Sequence, residues 1–338
     1  MGSTALRSLP RFDTLQARLP GTSRPRRPRP QRPTRYLAVQ RDAGWKPENS
    51  PAGYAGGVTF SVADVDVPLV MIPVQVNNGR GSSVRGLNRE DFQLFEDGTE
   101  QRITHFSLED SPLSVGFLLD SSSSMKNKMR HAVEAGAEFL RVSNREDEFF
   151  VVQFGERPKL AVPLTNDIER VRSGFLGARP IGRTSLLDAI EMSLAQMKRV
   201  HNRRKAMIIL SDGGDNHSRA TEAEIKKAVR EADVQIYTVG IFDRNESAKR
   251  PPEELNGPSL LADLARETGG KDFSVDVGND LPGICARISA ELREQYLLGY
   301  SPANTALDGK YRRVSVVVLP GGSATMVRHR AGYYAPAN

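Results

Sequence analysis

Three short runs of oxygen-bearing side chains carry most of the chemistry this sequence offers. Asp120 is followed by Ser121, Ser122, Ser123 and Ser124. A second run is Gly182, Arg183, Thr184 and Ser185, and a third is Ser211, Asp212, Gly213, Gly214 and Asp215. Carboxylate and hydroxyl oxygens without histidine or thiolate are hard ligands, which select Mg²⁺, with Mn²⁺ or Ca²⁺ as substitutes, over Zn²⁺ or copper. A set of two carboxylates and three neutral hydroxyls leaves coordination positions open. An outside carboxylate can then complete the shell, which describes a metal-mediated binding site.

Each run has to be placed by a regular element. Val115, Phe117, Leu118 and Leu119 form the continuous apolar run of a strand buried on both faces, so Asp120 falls at its carboxyl end. Ala206 to Leu210 reads the same way and delivers Ser211 and Asp212. Ser185 opens a helix with Asp188 at the capping-box position and Leu186, Ile190, Leu194 and Met197 along one face. The pattern continues with a helix from Met125 to Val142, a strand from Phe149 to Phe154, and an edge strand from Leu160 to Leu164 that contains Pro163. A second capping box at Thr221 and Glu224 starts another helix, and a strand runs from Val234 to Val239. A helix from Leu260 stops at Gly269-Gly270, a strand surrounds Phe273, and a last helix spans Asp280 to Gln295. Such alternation predicts an α/β fold with a doubly wound, mainly parallel sheet and helices on both faces. Its ligands bind beyond the carboxyl ends of the strands, where all three runs lie.

The flanks read as β. Val62, Val65, Val67, Leu69, Val70, Ile72, Val74 and Val76 suit strands, and Phe92, Leu94 and Phe95 lead to Asp97-Gly98, a hairpin dipeptide, before Ile103 and Phe106. After the last helix, Tyr296 to Tyr300, Val314 to Leu319 and Met326 to Tyr334 return to strand patterns. Neither flank can bury a sheet face alone. They are expected to pair into one discontinuous sandwich of about six or seven strands, into which the α/β domain is inserted. The expected organisation is a basic, Pro/Arg-rich disordered tail over residues 1–57 and sandwich segments at 58–110 and 299–338, with the α/β domain at 111–298.

The order Asp120, Ser122, Ser124, Thr184, Asp212 resembles the metal-ion-dependent adhesion site of von Willebrand factor type A domains, and the likeness covers about residues 112 to 298. It implies that Ser122, Ser124 and Thr184 supply hydroxyls directly to the metal and that Asp120 and Asp212 act through water. The family usually has Gly between the two ligand serines where this chain has Ser123, so strain is expected there. The flanking residues Leu87, Glu90, Asp91, Phe92, Glu96, Asp97 and Gly98, with Tyr296 to Pro302, look like a bacterial subgroup of the family. The implied function is divalent-metal-dependent capture of an acidic residue of a protein partner, an adhesion-type interaction without catalysis. Neither a small-molecule substrate nor a nucleic acid is expected as partner.

Two other functional classes compete with this one. A metal-dependent hydrolase on the same fold needs a water-activating base that the sequence does not locate. There is no Gly-x-Ser-x-Gly elbow, and His105, His131, His201, His217 and His329 form no motif; His217, near Asp212, reads as a solvated loop residue. No Gly-x-Gly-x-x-Gly and no phosphate loop occurs. Asp215 reads as a turn residue and Asp188 as a helix-start residue, not as ligands.

Nucleic-acid binding would rest on charge. The 338 residues carry a formal net charge of +6 with a pI near 9.4 and a mean hydropathy of −0.43. That excess is local: residues 1–50 hold eleven basic and three acidic side chains, net +8, and the remaining 288 hold 36 and 38, net −2. No apolar run approaches the roughly 20 residues of a membrane span. The family resemblance implies an extracytoplasmic setting, whereas residues 1–22 lack the apolar core of a secretion signal, which fits a cytoplasmic one. Cys285, the single cysteine, reads as a small buried apolar residue.

Overall fold

The computed structural model describes residues 69–108, 111–212, 214–242, 257–276, 281–319 and 325–337. The expected basic tail, and Val62, Val65 and Val67 of the first expected strand, lie outside the described residues.

The chain opens with β1 (Val70–Asn77), β2 (Phe92–Glu96), β3 (Thr99–Gln101) and β4 (Ile103–Ser107). It continues with β5 (Leu113–Asp120), α1 (Met129–Arg141), β6 (Glu148–Phe154), β7 (Pro158–Thr165), α2 (Ile168–Leu176) and α3 (Leu186–Met197). Next come β8 (Arg204–Ser211), α4 (Glu222–Glu231), β9 (Gln235–Phe242), α5 (Gly257–Thr268), β10 (Asp272–Asp276) and α6 (Leu281–Arg293). It closes with β11 (Tyr296–Tyr300), β12 (Tyr311–Val318), β13 (Met326–Arg328) and β14 (Gly332–Tyr334).

The central sheet has the order β10-β9-β8-β5-β6-β7, parallel throughout except for β7, which runs antiparallel to β6 at the edge. Every residue of β5 is buried, as its unbroken apolar run requires. Pro163 sits in the edge strand β7, where a missing N–H breaks no ladder between two neighbours. Helices α1, α2 and α6 cover one face of the sheet, and α3, α4 and α5 cover the other. On the first face the Phe117 ring meets Phe139 and Phe175 edge-on, with centroids 5.4 and 5.0 Å away. Helix α2 has no counterpart in the sequence pattern. It buries only Val171 and Phe175 and is started by Asp167, whose carboxylate accepts from Glu169 N and Arg170 N.

The flanking strands form two four-stranded antiparallel sheets, β13-β1-β11-β4 and β14-β12-β2-β3. Strands from before and after the α/β domain pair directly: Ile72 faces Leu298, and Leu94 faces Val316. The described strands number eight, not six or seven, because the stretch from Met326 to Tyr334 divides into β13 and β14, one for each sheet. The hairpin at Asp97-Gly98 forms with φ of 47° and 81°, the left-handed pair a tight β-turn needs. Between the sheets lies a core that includes Val70, Ile72, Leu94, Tyr296, Leu298 and Tyr300. Strand β11 straddles the expected boundary at 298/299, since α6 ends at Arg293 and the chain passes almost at once into the sandwich. No described helix is long and apolar enough to cross a membrane.

Candidate metal centre

β5 and β8 are neighbours in register, Leu119 opposite Leu210, so Asp120 at the end of one strand and Ser211-Asp212 at the end of the other emerge side by side. The connections from these two strands leave in opposite directions along the sheet, which makes this the crevice where such folds bind ligands. The Asp120 carboxylate accepts from Ser122 N at 2.8 Å and from Ser211 Oγ at 2.6 Å. The hydroxyls of Ser122 and Ser124 stand 2.9 Å apart.

Backbone hydrogen bonds fasten the second loop to the first. Ile181 N donates to Ser121 O at 2.8 Å, and Ser123 N donates to Gly182 O at 3.1 Å. The turn at Gly182 has φ of 82°, a conformation a side chain would strain. The third loop is fastened to the second: Asn216 N and His217 N both donate to Thr184 O, and Thr184 N donates to the Asn216 side-chain oxygen. Asp120, Ser122, Thr184 and Asp212 are all buried. All five expected site residues are thus carried by three interlocked loops at one rim of the sheet.

Several sequence expectations change here. Ser185 begins α3, but its side chain does not cap the helix; its hydroxyl donates to Gly155 O at 2.8 Å. The α3 amide of Leu187 is taken by Asp215, which also accepts from Ser218, so Asp215 is a loop-to-helix clamp and more than a turn residue. Asp188 accepts from Arg219 N and Ala220 N across the loop instead of from its own helix. Ser123 carries no left-handed strain: the segment from Ser123 to Met125 is a single 3₁₀ turn, and Asp97 is the only non-glycine residue with positive φ among the described residues. His217 is exposed, with Arg183 Nη1 3.5 Å from its Nδ1. Thr221 and Glu224 do form the expected capping box. Cys285 is buried as expected, its thiol pushed up to about 12 by desolvation.

One central residue was missed. Lys128, 1% exposed, places Nζ 3.0 Å from Asp212 Oδ2. Its spacing, four residues after Ser124, is the signal that could have found it, because one turn beyond the loop points back toward the strand ends.

The electrostatics ask for positive charge. Burial, with the Asp212 charge second, drives the Asp120 carboxyl up to about 7. No group of three or more His, Cys, Asp and Glu side chains suited to a metal occurs among the described residues, so any cation here relies on hydroxyls as well as carboxylates. The donors are all oxygen, the two serine hydroxyls are already adjacent, and the buried carboxyls favour a cation, so the residues fit a hard divalent ion.

Residues 115–214 match the family model described as the von Willebrand factor type A domain, a span that starts in β5 and ends just past Asp212. That match assigns residues 115–214 to a type A domain. A relative from Borreliella burgdorferi, itself described as uncharacterized, is 23% identical over 198 residues, which are 53% of this chain and 57% of that protein. The chain therefore spans little more than half the length of the curated relative it matches. A von Willebrand factor type A structure from Catenulispora acidiphila aligns over 78% of this chain and 73% of its own at 13% identity and a TM-score of 0.45. Proximal thread matrix protein 1 from the mussel byssus, solved with a zinc-occupied MIDAS motif, aligns over 58% of this chain and 49% of its own at 17% identity and a TM-score of 0.45.

Proposed function

We propose that the type A domain binds a divalent cation, Mg²⁺ with Mn²⁺ or Ca²⁺ as substitutes, and through it captures a carboxylate of a protein partner. Ser122, Ser124 and Thr184 hold the ion through their hydroxyls, and Asp120 and Asp212 hold its water. The observation that carries this reading is that three hydrogen-bonded loops carry the five residues to one rim, with the Ser122 and Ser124 hydroxyls 2.9 Å apart. Type A domains serve widely as adhesion or protein-interaction modules, and such a module needs an open coordination position and a surface around it. The rim offers that surface: Ile181 is 74% exposed, and Lys126, Arg183 and His217 are exposed beside it. An acidic side chain on a partly apolar partner surface suits this mixture of cationic and apolar groups.

The domain acts as a binding module and not as an enzyme. The Ser122 hydroxyl is paired with Ser124, and the histidine of the third loop, His217, is turned to Arg183. Calorimetry with Mg²⁺ and Mn²⁺ on the wild type, Asp120→Ala and Thr184→Ala tests the site. Heats should appear in the wild type and fall away in both variants; equal heats in all three overturn the reading.

A further inference from the structure

At the pole opposite the metal centre lies a cavity of ≈ 720 Å³. One wall is the start of the parallel sheet: Leu113, Arg204 and Gln235, the first residues of β5, β8 and β9, all line it. The facing wall is the outer surface of the β13-β1-β11-β4 sheet, where Pro73, Leu297 and Ser107 lie side by side in register, next to a row of Met71, Gly299 and His105. The alternate residues Val70, Ile72 and Leu298 point the other way into the sandwich core. The outer face of this small sheet therefore sets Met71, Pro73 and Leu297 beside Ser107 and His105, and it encloses space instead of packed side chains. The volume is that of a site for a small organic ligand.

The charge lining the cavity is unbalanced. Arg203, Arg204, Lys205, Arg230 and Arg330 face only Asp233 and Glu267 among acidic groups. Arg230 is taken by Glu267 and Arg330 by Asp233, each at 2.9 Å, and Arg204 donates to the Leu292 carbonyl. Arg203 and Lys205 form no ion pair among the described residues. Two further donors in the lining, Nε2 of Gln235 and Nε of Arg330, are buried without a hydrogen-bond partner. Gln235 is 8% exposed, so solvent does not compensate its amide well. Apolar walls and surplus donors together specify an acceptor that carries negative charge on an apolar body.

We propose that this cavity binds an organic anion, with its charged group at Arg203, Lys205 and Gln235 and its apolar body against Met71, Pro73 and Leu297. The test uses the full chain and anilinonaphthalene sulfonate, an aromatic anion that fluoresces in apolar sites. One saturable site is expected, weakened about tenfold in Arg203→Glu/Lys205→Glu. Lys126→Glu/Arg130→Glu, the same charge change at the metal-centre pole, should leave it unaltered. Decanoate should displace the probe, and decanol at the same concentration should not. A missing saturable site, equal affinity in the two double variants, or displacement by decanol as effective as by decanoate overturns the proposal.

Discussion

The Lys128 ammonium, 1% exposed, lies 3.0 Å from Asp212 Oδ2 and supplies the candidate metal centre with a positive charge from its own chain. Withdrawing the ammonium from this buried pair weakens the compensation of the Asp212 charge, at up to about 3–5 kcal/mol. Lys128→Met is therefore expected to lower the melting temperature of the metal-free protein sharply. A divalent cation beside Asp212 offsets the missing charge, so added Mn²⁺ should recover more stability in the variant than in the wild type. Melts with chelator and with Mn²⁺ measure this, and an equal Mn²⁺ effect in both proteins speaks against a shared electrostatic site.

Asp120 ties cation binding to pH. With its folded carboxyl pushed up to about 7 from 3.8, the native state holds a proton that the unfolded chain has lost across that window. Its contribution to stability is present below the unfolded value and is lost as pH rises through about 7. Cation binding needs the carboxylate, so Mn²⁺ affinity should rise between about pH 6 and pH 8, with proton release on binding. Calorimetry in two buffers of different ionisation enthalpy reads the released proton; a flat affinity over that range contradicts the assignment.

A second buried charge holds the sandwich together. Glu96 of β2 accepts from the hydroxyls of Tyr300 and Tyr333, each at 2.7 Å, and lies 3.6 Å from Arg312 Nη1; Glu96 and Arg312 are both buried. These contacts join a strand before the α/β domain to three after it. Glu96→Ala strands the two tyrosine hydroxyls and leaves Arg312 with Asp308 as its ionic partner at 3.2 Å, so it should cost about 1–3 kcal/mol, and Glu96→Gln, which can still accept from the tyrosines, should cost less. Urea unfolding measures both.

Gly270 leaves no room for a side chain. A Cβ there would stand 2.0 Å from Ile236 O, a backbone atom, just after Gly269 ends α5 at φ of 77°. Gly270→Ala should destabilise the protein by about 1–3 kcal/mol, seen as a lowered melting temperature.

The grouping of the candidate residues at one rim was legible in the sequence because they come as runs at strand ends, and period-two and period-3.6 patterns locate those ends well. The sequence hid whatever depends on a long side chain reaching across the fold. Lys128 falls within the stretch whose pattern reads only as helix, Met125 to Val142, and the adjacency of β5 and β8 brings its ammonium to Asp212. Asp188 has the spacing of a capping box, yet it serves a loop that is distant in sequence. Helix α2 was invisible because two buried side chains make too short a periodic signal. The pairing of the flanks was legible, since neither could bury a face alone, but the division into β13 and β14 was not, because strands of three residues carry little pattern.

The claim that a bound cation captures a carboxylate is tested most directly by selecting displayed random peptides on the full chain in Mn²⁺ and eluting them with a chelator. Selected peptides should be enriched in Asp or Glu and lose binding when that residue becomes Asn or Gln, with no such enrichment on Thr184→Ala. Peptides that bind equally well with chelator present, or that carry no acidic residue, would contradict the claim.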